Sequence, residues 1–247
     1  MRNKLLIITL LVLFSFIGSS TFAQSAYIKL GGGYGLSLAS QMIYDQSTTP
    51  ATTWDNKYGS FGEGINFQAG FGYNINSNFA LELAGSYLLG KKFENTVGTT
   101  TNKYYGNTIT IQPSVVIKAP MKDVTPYTRF GMVIGIPSLF QEVTSTLVTG
   151  TDKFKESGGV ALGVQGAVGM NFKAGKHLGI FAEVFGIGMN YGPSQRENTE
   201  TFAGVTADPL VTYGETGTYA TANTEATPRR SLSSFGLNLG LTYTFGK

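Results

Sequence analysis

Hydrophobic and polar residues alternate one for one along eight separate stretches of the chain. The last stretch begins near Ser233. Leu237, Leu239, Leu241, Tyr243 and Phe245 share one face, and Gly236, Asn238, Gly240, Thr242 and Thr244 the other. A period of two marks a β-strand with unlike faces. Residues 26–39 repeat it, with Ile28, Leu30, Tyr34, Leu36 and Leu38 opposite Lys29, Gly31, Gly33, Gly35 and Ser37. So do 64–75, 79–89, 105–119, 127–136, 159–172 and 178–191. Pro113 falls inside the fourth run, where a ladder donor is lost, and suggests a bulge. The second half of the seventh run is apolar or glycine on both faces, so alternation leaves its register open.

The connectors alternate too. Residues 76–78, 120–126 and 173–177 are short; 40–63, 90–104, 137–158 and 192–232 are long and rich in Thr, Ser, Asn and Gly. An up-and-down meander sends successive connectors to opposite ends, so one end carries tight turns and the other long loops. That asymmetry characterises outer-membrane barrels. A Greek-key sandwich has no reason to sort its loops in this way.

Charge decides which face is wet. The apolar faces carry no Lys, Arg, Asp or Glu; the strand charges Lys29, Glu82, Lys118, Arg129 and Glu183 all lie on the glycine-rich face. A soluble barrel would solvate its outside and fill its inside with large side chains. Here the polar face is small enough to line a narrow eight-stranded lumen. The expected fold is therefore all-β: an eight-stranded antiparallel up-and-down transmembrane β-barrel with four long extracellular loops and three short periplasmic turns. Lys29, Glu82, Lys118 and Arg129 stand at similar distances from the short-turn end and should form one ion-pair layer, with Glu183 deeper and within reach of Arg129. Such a layer serves either as an ion path or as a structural plug, and a lumen this narrow favours the plug.

Composition narrows the function. Charged residues make up 13% of the 247 residues, and cysteine is absent. Disulfides, thiolate metal sites and lipidated cysteine are thus excluded, and the lone His177 cannot build a histidine cluster. No metal and no cofactor are expected. Arg2 and Lys4, the apolar run 5–17 and the small residues before Gln24 read as a signal peptide, 1–23, cut after Ala23. The run is too short to span a bilayer. Loss of Arg2 and Lys4 lowers the formal charge from +3 to +1 over 24–247, so nothing calls for nucleic acid.

Thr125–Gly135, "TPYTRFGMVIG", and Asn238–Phe245, "NLGLTYTF", carry a resemblance to the OmpA-like and OmpW-like small outer-membrane barrels of Gram-negative bacteria. The resemblance implies a protein of the bacterial outer membrane, inserted by the barrel-assembly machinery. It also implies that Asn238, Gly240, Tyr243 and Phe245 form the assembly signal, although Gly246 and Lys247 follow the aromatic where the family usually ends. With eight strands filling the chain, the peptidoglycan-binding domain of full OmpA proteins is not expected. Enzymes among similar small barrels, such as lipid A acyltransferases and omptin-type proteases, need a histidine near the outer rim. His177 falls in a periplasmic turn, so no catalysis is expected. "GGGYG" at 31–35 lies within an alternating strand rather than before a helix, and is no phosphate loop.

The long loops remain as the functional surface. Their nine basic residues stand against twelve acids, which gives no reason to expect a polyanion ligand. Lys91, Lys92, Arg229 and Arg230 lie where strands leave the membrane and are candidate contacts for lipopolysaccharide phosphates. The expectation is a monomeric outer-membrane barrel with a structural or surface-binding role, its surface ligand unidentified, and outer-membrane lipids and lipopolysaccharide as partners. The alternative is an OmpW-like conduit for small apolar molecules; a lipid-modifying enzyme ranks third.

Overall fold

The computed structural model describes residues 25–39, 41–44, 57–147, 149–202, 210–214 and 224–246. The proposed signal peptide and Lys247 lie outside the described residues. Eight long strands make the barrel: β1 (Ala26–Ser37), β2 (Gly64–Asn74), β3 (Phe79–Gly90), β4 (Thr100–Lys118), β5 (Val124–Ser145), β6 (Ala161–Lys173), β7 (Leu178–Tyr191) and β8 (Ser234–Thr244). Each pairs antiparallel with its sequence neighbours. β8 then pairs with β1, Leu30 opposite Leu241, and the sheet closes. Closure leaves no edge in lipid, the condition for a sheet to span a membrane.

The alternation sorts the faces as expected. Leu30, Leu83, Phe130 and Leu239 stand 56%, 57%, 58% and 64% exposed on the outer wall. In water that wall would be a large adhesive patch; in lipid it is solvated. Inward positions alternate small and large. The Phe181 ring lies where a Cβ at Gly31 or Gly240 would sit, and the Tyr27 and Tyr127 rings occupy the space beside Gly72 and Gly169. The glycines of the polar face are thus room for aromatic side chains that reach into the lumen.

Two features differ from expectation, and a third fills in a register that alternation leaves open. First, β4 and β5 run well past 105–119 and 127–136. Their extra length lies on the long-loop side, where Pro137 pairs with Thr108 inside the ladder. Phe93–Val97 adds to β4, Thr151–Ser157 to β5, and Gln195–Glu200 to Thr151–Ser157. Much of the expected loop is therefore extramembrane sheet. Above the membrane both faces of a strand meet water, so a polar stretch forms a ladder without showing apolar alternation. Second, Pro113 produces no register-shifting bulge. Ile111 opposes Ile134 and Ser114 opposes Gly131 in one register, and the described β4–β5 ladder skips Gln112 and Pro113. Third, the upper half of β7 turns Phe185, Met189 and Tyr191 inward. Of these larger residues, Met189 and Tyr191 meet Ile43, Phe61, Val133, Leu139 and Leu232 in an apolar cluster at the extracellular end of the barrel.

Candidate functional site

Four charged side chains meet in one layer of the lumen, one from every second strand. Lys29 comes from β1, Glu82 from β3, Arg129 from β5 and Glu183 from β7, so cation and carboxylate alternate around the ring. Arg129 Nη1 donates to Glu82 Oε1 at 2.7 Å and its Nη2 to Glu183 Oε1 at 2.9 Å. Lys29 Nζ donates to Glu183 Oε2 at 2.7 Å. No side chain in these pairs is more than 4% exposed. Two positive and two negative charges balance, which buried ions require.

Neutral donors complete the layer. The Tyr27 hydroxyl donates to Glu82 at 2.7 Å and the Tyr127 hydroxyl to Glu183 at 2.8 Å. Gln68 and Asn238 amides donate to Glu183 Oε1 at 3.2 and 3.0 Å. None of these four was expected in the layer. Their inward parity was the available signal, since each shares a face with the glycines. Asn238, expected in the assembly signal, thus also has a packing role in the folded wall.

Lys118 does not join the ion pairs. Its Nζ donates to Asn74 Oδ1 at 2.5 Å and stands 4.2 Å from the Tyr27 ring centroid. The β4–β5 register explains this. Val116 is the residue opposite Arg129, and Lys118 opposes Tyr127. Lys118 therefore lies one inward position nearer the periplasm than the layer. Glu183, expected deeper, lies within the layer because β7 is staggered against its neighbours.

Spaces of unequal size lie along the axis. On the periplasmic side of the layer is a vestibule of about 760 Å³, lined by Tyr27, Glu82, Lys118, Tyr127, Asn171 and Thr242 among others. Above the layer is a void of about 40 Å³ beside Gln68, Thr110, Gln112 and Phe185. Beyond the apolar cluster, a crevice of about 210 Å³ is lined by Phe61, Phe140, Phe154, Glu156, Arg196 and Arg230. The first and last loops form the cap between these last two spaces. Phe61 N donates to Ser231 O at 3.0 Å, Ser231 N to Gln41 Oε1 at 2.8 Å, and Leu232 N to Met189 O at 3.0 Å.

The basic rim residues do not form a single cluster. Lys91 pairs with Glu63 at 2.8 Å. Arg230 makes a fork to Glu156, Nε to Oε2 at 2.9 Å and Nη2 to Oε1 at 2.6 Å. Burial opposes the Arg230 charge, but the Glu156 hydrogen bonds and the attraction of its carboxylate together outweigh it and raise the pKa. Lys92 stands 4.5 Å from the Tyr105 ring centroid, and Arg229 is exposed. Burial, then a hydrogen bond to Glu142, pushes the Tyr105 hydroxyl up to about 12. At the opposite end, Tyr243 and Phe245 make an edge contact with centroids 5.0 Å apart, on the exposed wall. His177 lies in the β6–β7 turn, its Nδ1 3.1 Å from Thr244 O.

A closed eight-stranded wall, apolar outside and charge-paired inside, with short turns at one end and long loops at the other, defines a small outer-membrane barrel. The chain matches the outer membrane protein beta-barrel domain family over residues 9–198 and belongs to that family of bacterial outer-membrane proteins. No curated protein matches it by sequence. Among solved structures, a major outer membrane protein from Thermus thermophilus is similar at TM-score 0.55 and 11% identity, over 90% of this chain and 100% of that one. The outer membrane protein OprG from Pseudomonas aeruginosa is similar at TM-score 0.49 and 11% identity, over 91% and 97%. Ail, the attachment invasion locus protein of Yersinia pestis, is similar at TM-score 0.43 and 10% identity, over 91% and 100%. Of these only the Thermus likeness, with a TM-score of 0.55, bears on this chain, and at 11% identity it bears on the fold alone.

Proposed function

We propose that this barrel has a structural and surface-binding role carried by its extracellular sheet, with a lumen closed to solutes and no catalysis. The observation that carries the reading is the length of β5, 22 residues, where a tilted crossing uses about 9–11. The excess strand, with the segments that pair to it, places an ordered polar sheet outside the membrane. A disposable loop has no need of such order. The ion-pair layer and the apolar cluster support closure, because each places buried side chains between the vestibule and the outer crevice. His177, on the periplasmic side, supports the absence of a rim base.

Lipopolysaccharide is the nearest anionic partner. Lys92 and Arg229 are the rim cations in this reading, since Lys91 and Arg230 already hold internal carboxylates. Planar-bilayer recording of the refolded chain tests closure. No discrete steps are expected; steps that vanish in Glu82→Ala or Arg129→Ala would replace the plug with a gated path. A second reading, an OmpW-like conduit for small apolar molecules, is favoured by the ladder skipped at Pro113. Uptake of such a solute into protein-bearing liposomes, slowed by Pro113→Val, would establish it.

A further inference from the structure

The vestibule is not used by a surface-binding role. Its volume, about 760 Å³, lies within the range of small-molecule sites, about 300–1,000 Å³. It opens at the end of the barrel that carries the short turns.

Its charges are not balanced locally. Glu82 is the one carboxylate among its lining residues, and Arg129 and Tyr27 already occupy its oxygens. Lys29 is held by Glu183. Lys118 is different: it is half-buried, makes no ion-pair contact with a carboxylate among the described residues, and touches the Asn74 amide oxygen and the Tyr27 ring face, with Glu82 attracting it only from beyond contact distance. Asn171 accepts from the Thr242 hydroxyl at 2.9 Å through its Oδ1, which leaves its amide hydrogens for the cavity. Val116 and the tyrosine rings supply apolar wall.

The surroundings reinforce the sign. Lys122, Lys173 and Lys176 are exposed at the same end, and Asp123 is the one acid of the described turns there. A cleft with one sign of charge and low-dielectric walls concentrates counter-ions.

We propose that the periplasmic vestibule binds a small organic anion, a carboxylate or phosphate ester with a compact apolar body, with the Lys118 ammonium as its charge partner. Lys118 exchanges its Asn74 contact for the anion, and the Asn171 amide donates a second hydrogen bond. The body lies against Val116 and Tyr27. The ion-pair layer forms the floor, so the ligand enters and leaves from the periplasmic side.

The test uses the full chain in nanodiscs of uncharged lipid, with 4-fluorobenzoate and its neutral isostere 4-fluorobenzamide followed by fluorine NMR. Benzoate is expected to bind more tightly than benzamide. Lys118→Gln should weaken benzoate about tenfold, the loss of one charged hydrogen bond, and leave benzamide unchanged. Lys118→Arg should retain benzoate binding, and Lys103→Gln, on the opposite side of the membrane where Lys103 pairs with Glu94, should change nothing. Val116→Trp, which fills the cavity, should abolish both. Heat-modifiable gel migration confirms that each variant is folded. Equal binding of the two probes, no binding, or benzoate binding indifferent to Lys118→Gln would overturn the proposal. Repeating the titration with phosphatidylglycerol in the nanodisc separates the sources. Displacement of benzoate identifies a lipid headgroup as the anion, and retention identifies a soluble one.

Discussion

Arg129 shows how single residues work in this barrel. Its guanidinium spans two carboxylates from strands on either side of its own, a geometry that a fork can satisfy and a lysine cannot. Arg129→Met leaves Glu82 and Glu183 buried with one cation between them. Removing one partner of a buried pair costs about 3–5 kcal/mol, which urea unfolding in lipid vesicles should read directly. Adding Glu82→Leu should recover part of that loss; a double variant no more stable than the single would mean that the two side chains do not act through each other. The inward placement of all four charges was legible from parity. Their meeting was not, because relative height depends on strand stagger, which no single strand encodes. The same stagger keeps Lys118 out of the layer and gives it to the vestibule.

Among the elements, the segments were legible where one face met lipid and obscure where both met water. The run 178–191 matches β7 at both ends because turns bound it. The extensions of β4 and β5 show no period because polar residues fall on both faces, Thr100, Thr101, Asn102 and Lys103 in the first and Ser138, Gln141, Glu142, Thr144 and Ser145 in the second. The cap is a similar case: Phe61 and Leu232 are isolated apolar residues in polar loops, and only their meeting makes a core. Its stability should depend on pH through Glu63. Burial would raise that carboxyl's pKa, but hydrogen bonds from Lys91 and Ser37 outweigh it and hold the pKa below the ordinary value. A depressed folded pKa contributes stability that is complete above the unfolded value, about 4.3, and is lost as pH falls through the folded one. Amide resonances of Ser60–Glu63 should therefore keep their positions from neutral pH down to that value. They should shift only below it, and Glu63→Gln should remove the transition.

For the whole molecule, two demands fall on the same strand. β8 closes the barrel against β1, and its final aromatics form the proposed assembly signal. Asn238 and Gly240 are fixed by the lumen: the first donates to Glu183, and the second leaves room for Phe181. Tyr243 and Phe245 lie on the outer wall, where folding alone asks only for apolar surface. Replacing both with leucine should leave the unfolding midpoint of refolded protein within about 0.5 kcal/mol of wild type, as surface changes usually do. The amount of barrel in cell membranes should fall severalfold, measured as heat-modifiable protein. Equal amounts would mean that the aromatics are wall and nothing more.

The order of residues was enough to set the number of barrel strands, the face each turns to lipid, and the end that carries the loops. These are local properties: a period of two and the spacing of turns are written within a few residues. Which inward charges meet, where the vestibule lies, and how the first and last loops close the top emerged only in the folded ring. Stagger and closure are collective, set by all eight ladders at once, so the height of any one side chain waits on the whole barrel.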